Sequence, residues 1–215
     1  SISYLTTAQN PKVIRYIDDV FLEISKTTVQ FSRNACLVLD SINLFMDIYQ
    51  PVGDTLSKRP SIVLAFGGAF VTGDRNQLAD FAKTFTRLGY VAACIDYRIW
   101  PAFVRGFPDS DAIVDVAAKA MSDMKASIRF LKSEAVKYKL DTNLIFSGGI
   151  SAGAITAIQC AFVNTNDSIP ASLKTVINNN GGLKGNSNNS TLRHTEKVAG
   201  VLNLSGAIFD LNLIS

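Results

Sequence analysis

The stretch that most constrains this chain is Asn143-Leu-Ile-Phe-Ser-Gly-Gly-Ile-Ser-Ala-Gly-Ala-Ile-Thr-Ala-Ile158. A short apolar run, 144 to 146, enters Gly149-Ile150-Ser151-Ala152-Gly153, and a helix-prone run, 154 to 163, leaves it. Strand, sharp turn carrying a serine, then helix is the context in which G-x-S-x-G forms an exposed nucleophile elbow. Gly149 and Gly153 are needed because a side chain at either position meets the neighbouring strand or helix. Between them Ser151 is expected in a strained backbone conformation that lifts its hydroxyl clear of the sheet. The pentapeptide alone is weak evidence, so the rest of the chain must supply the context.

That context is a series of buried strands alternating with helices. Ser61 to Phe66 is continuously apolar, as a strand covered on both faces must be. Gln77 to Leu88 carries apolar residues at helical spacing and stops at Gly89, and Tyr90 to Ile95 is the next buried strand. Asp109 to Tyr138 reads as a long, broken helix with Ile128 and Leu131 on its inner face, and Val198 to Leu204 as one more strand. Two earlier segments, Lys26 to Arg33 and Ile42 to Tyr49, have the alternation of strands that precede the wound part of the sheet. Residues 1 to 24 read as an extended arm with one short helix, and 164 to 196 as a polar surface excursion. The expected architecture is a single α/β domain over 1–215, a mostly parallel sheet with helices on both faces and antiparallel N-terminal strands.

Composition excludes several classes. At 47% hydrophobic, 18% charged and a net charge of +3, the chain is globular and lacks the basic stripe of a nucleic-acid binder. No apolar run reaches the ~20 residues of a membrane span, and no signal peptide is visible, which leaves secreted and cytoplasmic locations both open. Cys36, Cys94 and Cys160 have no metal-ligand spacing, and a single histidine, His194, excludes a His-rich zinc site. Cys94 and Cys160 are expected to be inert core thiols, and no cofactor or metal is implied.

A second informative stretch, Leu64-Ala-Phe-Gly-Gly-Ala-Phe-Val-Thr-Gly73, directly follows the central strand. Acyl transfer needs donors aimed at the oxygen that becomes negative, and adjacent glycines leave backbone N–H groups unobstructed. With Ile95-Asp-Tyr-Arg98 closing the following strand and Gly149 to Gly153 after it, the chain resembles the α/β-hydrolase superfamily, and within it the carboxylesterase and hormone-sensitive-lipase-like esterases. The resemblance spans about 26 to 210 in element order. It implies a serine hydrolase that cleaves small-molecule carboxylic esters through an acyl-enzyme on Ser151, with the N–H groups of Gly68, Ala69 and Ala152 as oxyanion hole. Acetyl or feruloyl esters of plant polysaccharide are a close variant of the substrate. Where such enzymes read His-Gly-Gly-Gly, this chain has Phe66-Gly67-Gly68-Ala69, and Ala69 keeps the N–H. The resemblance also makes Asp96 a brace for loops. The aromatic loop 99 to 108 is expected either to line an acyl or alcohol pocket or to cover the sheet edge.

A serine hydroxyl needs a base, and the base an orienting acid. The superfamily places both after later strands, in the order Ser, acid, His. His194 precedes the strand at 198–204 and Asp210 follows it, so each is a candidate only by default: His194 reads better as a solvated residue. The simplest account is a domain incomplete at its C-terminus, with the last strands missing. The alternative is a catalytically inactive hydrolase-fold binding domain, motivated by Phe66 and by the absent acid and base.

Overall fold

The strand of seven residues at the centre of the molecule is buried along its whole length. This strand, β3 (Arg59–Ala65), follows β1 (Ile24–Asn34) and β2 (Ile42–Pro51) in the computed structural model. The structure describes residues 13–36, 41–163, 169, 171–184 and 191–207. A 3₁₀ turn, Arg75–Leu78, leads into α1 (Ala79–Arg87) and then β4 (Val91–Ile95). A short helix, α2 (Ala102–Arg105), precedes α3 (Ser110–Ser133) and α4 (Ala135–Tyr138). They are followed by β5 (Leu140–Ile150), α5 (Ala152–Phe162), α6 (Ala171–Asn179) and β6 (Gly200–Leu204).

The six strands form one sheet in the order β1-β2-β4-β3-β5-β6. The first two pair antiparallel, and β2 also pairs antiparallel with β4. From β4 onward every pairing is parallel, so the expected mostly parallel sheet with antiparallel N-terminal strands is present. The period-2 pleat divides the apolar side chains between two layers. Val63 and Ala65 of β3, with Val91, Ala93 and Ile95 of β4, pack with Met124, Ile128 and Leu131 of α3 and Ala157 and Cys160 of α5. Ile62, Leu64, Ala92 and Cys94 face the other way, onto Leu78 and Ala82. Each fully buried aliphatic side chain contributes about 1.5–3 kcal/mol, and the continuous apolar runs of β3 and β4 exist because both faces are covered.

The long helix expected over 109–138 starts at Asp109, whose carboxylate accepts the Ala112 N–H at 2.9 Å. It breaks at Glu134, and Lys139 in the left-handed conformation (φ 52°) turns the chain into β5. The polar excursion differs from expectation in carrying a helix, α6, whose Ile177 is buried against the core. Of the N-terminal arm the described part, from residue 13, forms a turn at 15–18, and the expectation of a short helix falls in part on residues 1–12, outside the described residues. It is anchored where Arg15 pairs with Asp54 at 2.5 Å and donates to the Gly89 carbonyl at 3.0 Å.

Candidate functional site

Ser151 sits between the last residue of β5 and the first of α5, with φ 53° and ψ −119°. Its N–H donates to the Leu204 carbonyl at 2.9 Å, so the β5–β6 ladder holds the serine backbone, and its own carbonyl accepts from Ile155 at 3.0 Å to begin the helix. The two-sided anchorage over-determines an otherwise costly conformation, and the side chain is left exposed. The flanking glycines are there for space. A Cβ at Gly149 would lie 2.6 Å from the Ala65 carbonyl oxygen, and one at Gly153 would overlap the carbonyls of Ala65 and Phe66. The elbow is therefore wedged against the C-terminal end of β3, from which the glycine loop departs.

That loop runs alongside the serine. A Cβ at Gly67 would stand 3.4 Å from the Cβ of Ser151 and 3.1 Å from the Ile150 carbonyl oxygen. Three successive residues then take positive φ: Gly68 (125°), Ala69 (53°) and Phe70 (62°). The Gly68 carbonyl accepts from both Val71 and Thr72, which folds the loop back on itself. Among the described residues none accepts a hydrogen bond from the N–H of Gly68, Ala69 or Ala152. Unpaired donors beside a serine at the start of an eleven-residue helix make an electropositive corner.

The braces of the loop come from residues that the motifs do not mark. Gln77 Oε1 accepts the Gly67 N–H at 2.6 Å. Tyr97 donates its hydroxyl to the Phe66 carbonyl at 2.8 Å, and its ring stacks on Phe66 with centroids 4.1 Å apart. Phe66 thus holds the loop through an aromatic stack where a histidine would use hydrogen bonds. Asp96 accepts Arg75 Nη1 at 2.9 Å and the Phe45 N–H at 3.2 Å, and Arg75 Nε lies 3.1 Å from Asp47. This ties the loop's exit to β2, the bracing role expected of Asp96. Burial raises the Asp47 carboxyl, but hydrogen bonds from Thr28, Arg75 and Lys26 outweigh it and leave the pKa below its usual value. Behind it, Asp123 takes the Arg98 backbone N–H and guanidinium, both at 2.9 Å, and the Asn34 amide at 2.5 Å.

Against this geometry the pattern of the BD-FAE family matches residues 46–214, which contain the loop, the elbow and the braces Arg75, Gln77, Asp96 and Tyr97. The chain belongs to the BD-FAE family. A probable isoprenylcysteine alpha-carbonyl methylesterase ICME of Oryza sativa subsp. japonica is 33% identical over 120 residues, 55% of this chain and 25% of that protein. Among solved structures, a thermophilic esterase of the planctomycete Thermogutta terrifontis, Est2 in its native form, superposes with a TM-score of 0.60 at 20% identity. The match covers 85% of this chain and 53% of that one. The Thermogutta terrifontis esterase 2 phosphonylated by cyclosarin gives 0.62 at 20% identity, over 85% and 56%. These likenesses show the α/β-hydrolase fold, and the BD-FAE chain spans a quarter of the rice protein and little more than half of the esterases.

The base and acid candidates fare differently from the serine. His194 lines a cavity with Thr142 and Asn143, near the start of β5. Ser151 is eight residues further along that strand, about 26 Å at ~3.3 Å per residue. The two are not brought together, because the histidine enters β6 from the amino-terminal edge of the sheet and the elbow leaves from the opposite edge. Asp210 lies outside the described residues. Cys94 and Cys160 are buried, and burial pushes both thiols up to about 12, so neither offers a thiolate near neutral pH. Among the described residues no group of His, Cys, Asp and Glu is placed to hold a metal ion. No described helix is long and apolar enough to cross a membrane. Phe103 and Phe107 of the BD-FAE chain project from the surface, 104% and 89% exposed. Trp100 is the exception: it is partly buried against the core and donates Nε1 to the Gly106 carbonyl at 2.9 Å.

Proposed function

We propose that this chain carries the nucleophile and oxyanion hole of a serine esterase. The observation that carries the reading is Ser151 held at positive φ at the tip of β5, against a glycine loop with unpaired N–H groups. In the proposed reaction the Ser151 hydroxyl loses its proton to a base as Oγ attacks the carbonyl carbon of a carboxylic ester. The carbonyl oxygen becomes negative and accepts hydrogen bonds from the N–H of Gly68, Ala69 and Ala152. Collapse of this intermediate expels the alcohol, which takes a proton, and leaves an ester on Ser151 that water hydrolyses to the acid. An imidazole base for Ser151 is not among the described residues. Family membership and the name of the rice relative support a small-molecule carboxylic ester as substrate.

A fluorophosphonate probe tests the assignment directly. Incubated with the protein and followed by digestion and mass spectrometry, it is expected to label the peptide containing Ser151 and to spare that site in Ser151→Ala. Because labelling also needs the activating base, a clean absence of label on Ser151 in the full-length protein ends the reading. It would leave the binding-domain alternative, whose Phe66 motivation is weakened by the Tyr97 stack.

The loop brace supplies a second expectation. Gln77→Ala removes the acceptor of the Gly67 N–H, and a buried donor without a partner costs ~1–3 kcal/mol. Loosening is felt most where the amides must meet the developing charge. The kcat for p-nitrophenyl acetate should therefore fall about 10-fold with KM little changed. Gln77→Glu, which keeps an acceptor there, should restore most of it. Equal losses in both variants, or a change confined to KM, would remove Gln77 from this role.

A further inference from the structure

At the amino-terminal edge of the parallel sheet, opposite to Ser151, the described residues place two buried cations, Arg129 and Lys132, near the Glu196 carboxylate. Arg129 of α3 is fully buried, yet among the described residues its Nε and Nη1 have no hydrogen-bond acceptor. Its Nη2 donates to the Lys184 carbonyl at 3.1 Å, and Nη1 stands 3.8 Å from Glu196. One turn further along α3, Lys132 is 7% exposed and donates Nζ to the Lys197 carbonyl at 2.6 Å. Burial pushes both cations below their usual pKa, with Glu196 opposing the shift at each, and the Lys197 ammonium depresses Lys132 further. Arg129 and Lys132 thus share the Glu196 carboxylate, and the exposed Lys197 adds a third cation beside Lys132. The other nearby acid, Asp141, has its Oδ1 turned to the Asn143 N–H at 2.9 Å. Desolvated cations with donors to spare are costly unless an anion completes them.

A cavity of about 490 Å³ opens beside this cluster, lined by its Lys132 and Lys197. We propose that it is a binding site for a small molecule bearing a phosphate-class oxyanion, held by Lys132, Lys197, Thr142, Asn143, His194 and Thr195. The two ammonium groups supply charge-assisted donors, and the threonines and asparagine supply neutral ones to the remaining oxygens. The volume lies in the range of small-molecule pockets and exceeds what a bare ion fills, and Val198 offers an apolar wall for the rest of the ligand. The site is about the length of β5 away from the serine, and the proposal is independent of the esterase reading.

His194 is the chain's single histidine, which makes its imidazole resonances an unambiguous reporter in the cavity. The intact chain is titrated with inorganic phosphate and, separately, with phenyl phosphate, at fixed pH and ionic strength, with chloride as reference. Both are expected to shift the His194 signals saturably. Phenyl phosphate should reach half-saturation at ~10-fold lower concentration, the effect of burying its ring. Lys197→Gln changes an exposed side chain, so its fold should be intact by circular dichroism. It should raise both midpoints about 10-fold, the typical worth of a charge-assisted hydrogen bond. Equal midpoints for the two anions would support the oxyanion site with free phosphate as its ligand. A shift that chloride reproduces, or a saturable one that Lys197→Gln leaves unchanged, overturns the proposal.

Discussion

Ester hydrolysis by this protein is expected to fall in kcat by on the order of 10⁴-fold or more when Ser151 becomes alanine, measured with p-nitrophenyl acetate. The magnitude is large because Oγ is the atom that forms the bond to the acyl group. Without it the loop amides can still polarise a carbonyl, but there is nothing to acylate. Alanine tolerates φ 53° no better than serine does, so stability should hardly change, and the loss will be one of chemistry. Ser151→Gly separates the two effects. Relief of a backbone conformation worth ~1–3 kcal/mol outweighs the ~0.5–1 kcal/mol entropic disadvantage of glycine. The glycine variant should thus be equally inactive but melt a few degrees higher, since ~1 kcal/mol moves Tm by about 2–4 °C in a chain of this size. Residual turnover within 10-fold of wild type in either variant would refute Ser151 as nucleophile. A lower melting point in Ser151→Gly would mean that the elbow stores no strain.

The parts of this site that sequence reveals are those in which a residue type is forced by sterics. Gly149 and Gly153 must be glycine because backbone from β3 occupies the space of a side chain, and they therefore form a pattern around Ser151. The strands β3 and β4 are equally visible because burial on two faces permits only apolar runs. What stays hidden are contacts whose residue type has many solutions. Gln77 reaches the Gly67 N–H across ten positions, and any acceptor of similar reach would serve, so no spacing announces it. Tyr97 lies inside the recognisable Asp-Tyr-Arg, but its stack on Phe66 depends on β3 and β4 being adjacent and parallel. Asp123 and Arg98 form the same kind of hidden pair: a helical carboxylate reads as solvated until the helix is seen lying on the sheet. The helix within the polar excursion is hidden for a related reason. Asn-rich composition around 178–180 masks the helical spacing of Leu173, Val176 and Ile177, and only packing on α3 and the core decides that α6 forms.

Gly153→Ala should be the most disruptive conservative change in the molecule, destabilising it by ~4 kcal/mol or more in urea-induced unfolding. Overpacking usually costs ~1–3 kcal/mol because flexible side chains yield. Here the added methyl would meet the main chain of β3, within 2.5 Å of the Ala65 carbonyl carbon and still closer to two carbonyl oxygens. β3 cannot yield, since it is hydrogen-bonded to β4 on one side and β5 on the other. The helix would have to lift from the sheet, pulling Ala152 and Ser151 with it. A loss of that size corresponds to a fall in Tm of roughly 8–16 °C, accompanied by loss of fluorophosphonate labelling at Ser151. Gly200→Ala is the matched control. Its methyl meets only the Phe146 ring, at 3.3 and 3.4 Å, and a side chain can give by a few tenths of an ångström. That variant should stay within ~1 kcal/mol of wild type, because the lower entropy of its unfolded chain offsets the crowding. If Gly153→Ala unfolds no more readily than Gly200→Ala, then α5 is not seated on the end of β3, and the elbow and the glycine loop are not the single unit on which the esterase reading depends.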